Sequence, residues 1–298
     1  MTIKADIAIS QQKRQGSIKA AKRANAIISY TLMSVLGLIF MFPWFWTIGS
    51  SMKTAAEIYR YPPPLLPNAV QFENYVTAFE VVPFALWFLN SLRVVLLSTT
   101  GSIISATLVA YAFARFEWPG RDIIFGITLA TMMLPSEVTL IPQYLIFREL
   151  KWLNTIRPLW IPAWFGGGAF AIFLLRQFIR SIPRDFDEAA TIDGANPLRI
   201  LLTILVPNMK PVLATLAVLS FIGNWNDFMG PLIYLASPRQ FTIALGLRYF
   251  QTAPGQYGKP LEHILMAAVV MATSPIIVLF FLAQNYFVQG IMMSGLKG

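Results

Sequence analysis

Cysteine is absent from all 298 residues, and histidine occurs once, at His263. No disulfide or thiolate metal centre can form, and a single imidazole excludes a multi-histidine metal site within one chain. The expectation is a protein with no cofactor and no metal. Charge is scarce too: Asp, Glu, Lys and Arg make up 12% of the chain, against roughly 25% in an ordinary soluble domain. Nor is there a G-x-x-x-x-G-K-[ST] phosphate loop, so no P-loop nucleotide site is expected in this chain.

What fills the sequence is apolar. Hydrophobic residues make up 56% and the mean hydropathy is +0.60, which leaves too few charges to cover a soluble fold. Lipid is the expected solvent. A hydrocarbon core needs roughly 20 apolar residues as helix. That ruler predicts an all-α membrane protein with six transmembrane spans, near 26–49, 87–113, 123–147, 158–178, 212–235 and 264–288.

A polar tail, residues 1–25, precedes the first span and carries Lys4, Lys13, Arg14, Lys19, Lys22 and Arg23. The apolar run that follows is too long for a signal peptide and ends in Pro43-Trp44-Phe45-Trp46, not in a small-residue cleavage site. The tail is expected in the cytoplasm, and an even number of spans returns the C-terminus there. This topology puts 14 of the 23 Lys and Arg inside and nine outside, in keeping with the positive-inside rule. The net charge of +9 could also suit nucleic acid, but the basic residues are scattered between apolar runs and no nucleic-acid module accompanies them.

Pro135 and Pro142 are expected to interrupt the third span, Pro231 the fifth and Pro275 the sixth, and Gly166-Gly167-Gly168 sits in the fourth. Such breaks are tolerated where neighbouring helices or a water-lined cavity satisfy the freed backbone. The spans are therefore expected to pack around a pathway.

The stretch between the fourth and fifth spans, about 179–211, is far longer than a turn requires. Pro183 suits the first turn of a helix, and Asp185, Asp187 and Glu188 complement the positive end of its dipole. Gly194 can close that helix in the left-handed conformation. Asn196 then caps a second helix with Pro197 at its first position. Ala189 and Ala190 give the first helix a small-residue face that a partner could approach closely.

The spacing Glu188-Ala189-Ala190, Asp193-Gly194-Ala195, Ile204 and Pro207 resembles the EAA loop of ABC-importer permeases, and more closely the maltose-type carbohydrate permease family. Also similar are Asn74-Tyr75, Asn90-Ser91, Tyr111 to Arg115, Leu134-Pro135-Ser136-Glu137, Trp225-Asn226-Asp227-Phe228, and Tyr286 to Gly290 with the ending Lys297-Gly298. The resemblance covers the chain from about residue 26, as one permease domain, 26–298. It implies a type I ABC-importer permease fold in the inner membrane, carrying no enzymatic activity itself. It further implies that Glu188, Ala189, Ala190, Asp193 and Gly194 dock in a cytoplasmic ATPase dimer. Other implied partners are a homologous second permease subunit, forming a heterodimer, an extracytoplasmic solute-binding protein and a sugar substrate. The external segments 50–86 and 236–263 are the expected landing surface of the binding protein, or plain connecting loops.

Polar residues inside the spans are candidates for a substrate pathway. An ionised carboxylate at mid-bilayer costs about 2.5–3.5 kcal/mol on insertion scales, so it normally faces protein or water. Glu137 in the third span, and Asn224, Trp225, Asn226, Asp227 and Phe228 in the fifth, could line a sugar-contacting wall. Asn224 and Asp227, three apart, would share a helix face. The alternative is structural cross-bracing. A rival function is an ion-coupled secondary transporter using Glu137 or Asp227. His263 is expected at an interface.

Overall fold

The computed structural model describes the backbone of residues 2–252 and 261–295, with side chains between Lys22 and Gln284 in that range apart from Ala24, Ser136 and Thr252. The side chains of the motif at Tyr286 to Gly290, the ending Lys297-Gly298 and the side chains of Lys4, Lys13, Arg14 and Lys19 lie outside it. Among the described residues the chain is helical with no strand. Among those residues four helices are long and apolar enough to cross a membrane, or up to six spans if each of two bent pairs counts as one.

Helix α1 (Thr2–Ser51) contains the first span, Asn25–Ser51, and its principal neighbour is the final helix, α15 (Glu262–Gly295). A short helix α2 (Ala55–Ile58) and α3 (Glu73–Val81) build a small platform beyond α1. Thr54 and Glu57 cap α2 reciprocally, and Glu57 Oε1 also accepts from the backbone N–H and the side-chain amide of Asn68. The side-chain amide of Asn74 donates to the carbonyls of Ser51 and Lys53, both at 2.9 Å. Tyr75 meets the Ser51 hydroxyl at 2.7 Å.

The central element is α4 (Phe84–Arg115), 32 residues without a proline. Its two ends lie in two separate apolar clusters. Trp87 and Val95 pack with Trp225, Phe241, Ile243 and Ala268, while Ala106, Ala110 and Phe113 pack with Leu175, Ile179, Leu201 and Leu205. Between them runs a polar seam. Ser98 donates to the Asn224 side-chain oxygen at 3.1 Å, Thr99 meets Ser220, Ser102 donates to the Gly167 carbonyl, and Ser105 to that of Ala163. Hydrogen bonds of this kind join helices where the hydrophobic effect cannot.

The third span is not one rod. Helix α5 (Arg121–Ala130) and a 3-10 turn (Thr131–Met133) stop at Leu134-Pro135, and α6 (Ser136–Glu149) leaves at 102° to them. Pro135 makes the break, as expected, but Pro142 lies inside α6. The fourth span, Arg157–Ser181, joins α7 (Arg157–Trp160), a 3-10 turn (Ile161–Trp164), the three glycines and α8 (Ala169–Ser181). All three glycines have positive φ, and a Cβ on Gly167 would collide with the Ser102 carbonyl.

Next come α9 (Asp185–Ile192), α10 (Pro197–Ile200), a π-helical turn (Leu201–Leu205) and α11 (Val206–Asn208). An 80° bend at Met209 leads into α12 (Lys210–Asn226). The fifth span thus ends earlier than expected, at Asn226, and Pro231 falls in the separate α13 (Met229–Tyr234). A 3-10 turn (Pro238–Gln240) and α14 (Ile243–Thr252) precede α15. Pro275 does not interrupt α15: it leaves the Met271 carbonyl without its helical partner, and the Ser274 hydroxyl donates to that oxygen at 2.8 Å.

Candidate functional site

The segment between α8 and α12 forms the helix, corner and helix that its residues suggest, with one shift. Helix α9 starts at Asp185, so Pro183 stands just outside it and Arg184 occupies the cap position. At the other end Gly194 has φ +80°, its N–H bonds the Thr191 carbonyl, and the N–H of Ala195 bonds that of Ala190. That pair of bonds is the Schellman closure, which requires a left-handed residue where Gly194 stands. The Asn196 side chain then accepts from the Arg199 N–H at 2.9 Å, with Pro197 opening α10.

The small-residue face divides. Glu188, Ala189, Asp193 and Gly194 are exposed, whereas Ala190 is buried and seats α9 on the body of the protein. A partner surface can therefore approach Ala189 but not Ala190.

What holds α9 in place was not legible from its own sequence. Asp187 forms an ion pair with Arg115, the last residue of α4, with Oδ2 2.6 Å from Nε. The two side chains are only 17% and 7% exposed. Arg115 also donates to the Ile182 carbonyl at 3.0 Å, just past the end of α8. One turn earlier on α4, the Tyr111 hydroxyl donates to the Pro197 carbonyl at 3.2 Å. The final turns of α4 thus grip the segment on both sides of the Gly194 corner. Burial pushes the Asp187 carboxyl up, further than the Arg115 and Arg184 guanidinium groups pull it back. A groove of about 450 Å³ opens here, lined by Tyr111, Arg115, Asp187, Glu188, Thr191 and Pro197.

The proposed pathway residues do not form one wall. Glu137 lies exposed in the first turn of α6, just past the Pro135 break and so near the middle of the bent third span. Asn224 uses its oxygen for Ser98 and its amide for the Ser220 carbonyl, so it braces α12 against α4. Trp225 is 3% exposed, donates to the Ala272 carbonyl, stacks on Phe221 and meets Phe88 edge-on. Its ring is core, unavailable to a sugar. Asn226 is exposed with its amide on the Ile222 carbonyl. Asp227 lies past the end of α12 in extended backbone, so it does not continue the helix face of Asn224; its Oδ1 accepts from the Gly230 N–H. Phe228 packs against the cluster around Trp225. His263 is half-buried, with Nδ1 lacking a hydrogen-bond partner among the described residues.

A family profile described as "Binding-protein-dependent transport system inner membrane component" matches residues 102–293. The chain is 30% identical over 283 residues to an arabinooligosaccharides transport system permease protein, AraQ, of Halalkalibacterium halodurans, covering 93% of this chain and 99% of that one. It is 32% identical over 280 residues to the sn-glycerol-3-phosphate transport system permease protein UgpE of Salmonella typhi, covering 92% and 98%. Among solved structures it resembles a chain of a bacterial ABC transporter that imports the acidic polysaccharide alginate. There the TM-score is 0.78 and the identity 26%, with 90% of this chain and 98% of that chain covered.

Proposed function

The chain belongs to the binding-protein-dependent transport system inner membrane component family, and from that premise we propose that it is one of two homologous membrane subunits through which an ATP-driven importer passes a sugar or oligosaccharide. It is a multi-pass membrane protein and a transport component. The observation that carries the substrate class is similarity along nearly the full length of the chain to an arabinooligosaccharide permease, together with the likeness to an alginate importer. A glycerol phosphate ester remains within the same family through the UgpE relative.

In this reading both termini face the cytoplasm, and α9 with its Gly194 corner is the coupling element. The exposed Glu188, Ala189, Asp193 and Gly194 meet one subunit of an ATPase dimer, and a binding protein delivers substrate to the opposite face. Closure of the ATPase around nucleotide pushes α9, and the cavity shared with the second membrane subunit switches sides. The grip of α4 on the coupling element supports this, because a force-bearing helix needs a rigid seat.

Uptake into vesicles containing the assembled transporter tests the reading. Transport should require ATP on the cytoplasmic face and survive an uncoupler; loss of uptake when the proton gradient is dissipated would favour an ion-coupled transporter instead. Titration of the cognate binding protein with oligosaccharides and with glycerol 3-phosphate decides between substrate classes.

A further inference from the structure

Three spans touch the coupling element, and they differ in their ability to carry a displacement across the membrane. Helix α8 is continuous with it but meets the Gly166–Gly168 break, where three successive residues have positive φ and no helix exists. Helix α12 receives it through the 80° bend at Met209 and ends at Asn226. Helix α4 alone of the three is unbroken from end to end.

Its far end is as firmly attached as its near one. The Trp87 indole donates to the Pro238 carbonyl at 2.7 Å, and the Asn90 amide donates to the carbonyls of Arg239 and Phe241. The Ser91 hydroxyl accepts from the Ile243 N–H at 2.8 Å. Four side-chain hydrogen bonds to backbone therefore fix the segment Pro238–Ile243 to α4, roughly 38 Å along the helix from Arg115 at 1.5 Å per residue.

We propose that α4 is the transmission rod of this subunit: displacement of α9 enters it through the Asp187–Arg115 pair and leaves it through Trp87, Asn90 and Ser91 into the extracytoplasmic segment Pro238–Ile243. The inference rests on the coupling reading above and adds a route to it. Arg115 and Asp187 are positioning residues; they touch neither substrate nor nucleotide. The geometry favours transfer because Arg115 binds the Ile182 carbonyl as well as Asp187, so α9 cannot shift without moving the end of α4. At the outer end the bonds are to main-chain atoms, which carries the whole segment instead of one side chain.

This chain has no cysteine of its own, so one introduced cysteine reports on this subunit once any cysteines of its partners are replaced. In the complete transporter in nanodiscs, Arg239→Cys carries a nitroxide, and its mobility is read with and without ATP. The parent should show an ATP-driven change. Asp187→Asn and Arg115→Gln should retain the ATPase subunit on purification, lose the nitroxide response, and reduce binding-protein stimulation of ATP hydrolysis by about tenfold, the size of an ordinary coupling energy between sites. The exchange Arg115→Asp with Asp187→Arg should restore part of both. A full nitroxide response in the single variants overturns the rod, and so does loss of the ATPase subunit, which would make the pair a docking contact. Gly194→Val separates the two readings: if it leaves stimulation intact, the coupling assignment itself fails. If it abolishes stimulation while the ion-pair variants respond normally, only the rod fails.

Discussion

Within this chain, Gly194 allows conformation to be tested apart from space. Its φ of +80° costs an L-residue roughly 1–2 kcal/mol, yet nothing lies within 4 Å of where a Cβ would stand. A substitution there meets backbone strain and no collision within this chain, and retention of the ATPase subunit on purification separates strain from a clash at the docking surface. The closed corner would lose a factor of about 5 to 30 in population, the equivalent of 1–2 kcal/mol. Helix α9 has little reserve against this, because it is only eight residues long and helices that short are marginal alone. Asn tolerates the left-handed region better than Ala, and β-branched Val tolerates it worst. The expected order of binding-protein-stimulated ATP hydrolysis is therefore Gly, Asn, Ala, Val, with Ala about 5- to 30-fold below the parent. The amount of subunit in the membrane should stay constant across the series. Equal stimulation by the Val and Gly forms would refute the reasoning, as would a fall in subunit amount that tracks the fall in stimulation.

Gly167→Ala should behave oppositely, since its Cβ would meet the Ser102 carbonyl and lie 2.8 Å from the Ala106 Cβ; the folded subunit should be lost, as judged by monodisperse yield in detergent. Trp225→Ala should cost about 3–5 kcal/mol, typical of a large buried aromatic, and appear as a lower unfolding temperature, whereas a sugar-stacking role would change substrate preference at constant stability. The Glu57 carboxyl is held below the usual carboxylate range by the backbone N–H of Thr54, then by that of Asn68. A lowered carboxyl stabilises the fold above its unfolded pKa and ceases to do so as pH falls through the lower folded value. The platform around α2 should thus stay closed at mildly acidic pH and open only below the ordinary carboxylate range, measured by protease access to residues 58–68; Glu57→Ala should open it at neutral pH.

Local chemistry carried the coupling element well: Gly194, Asn196 and Pro197 each do in the structure what their residue types permit nearby. The same is true of Pro135, which breaks the third span. Contacts between distant segments were not legible. Asp187 reads as a helix-dipole residue, and only the fold brings Arg115 to it from 72 positions earlier. Asn224 and Trp225 are polar and aromatic residues in an apolar run, a pattern that cannot tell a pathway from a brace, and their partners Ser98 and Ala272 lie far away in sequence. Several motifs that carried only a resemblance acquire a physical task. Asn74 and Tyr75 tie α3 to the end of α1, Asn90 and Ser91 hold Pro238–Ile243, and Tyr111 and Arg115 hold the coupling element.

The pairing of α1 with α15 sets an order of events during biosynthesis. The first span leaves the ribosome long before its main neighbour exists, and its most apolar stretch has no buried residue in the finished fold. Its 27 residues can stand in lipid as a single helix until then, because a single helix satisfies its own backbone. Only when the final span arrives does the chain close on itself, so damage near the C-terminus should strand the N-terminal helix while leaving the packing of the middle spans intact.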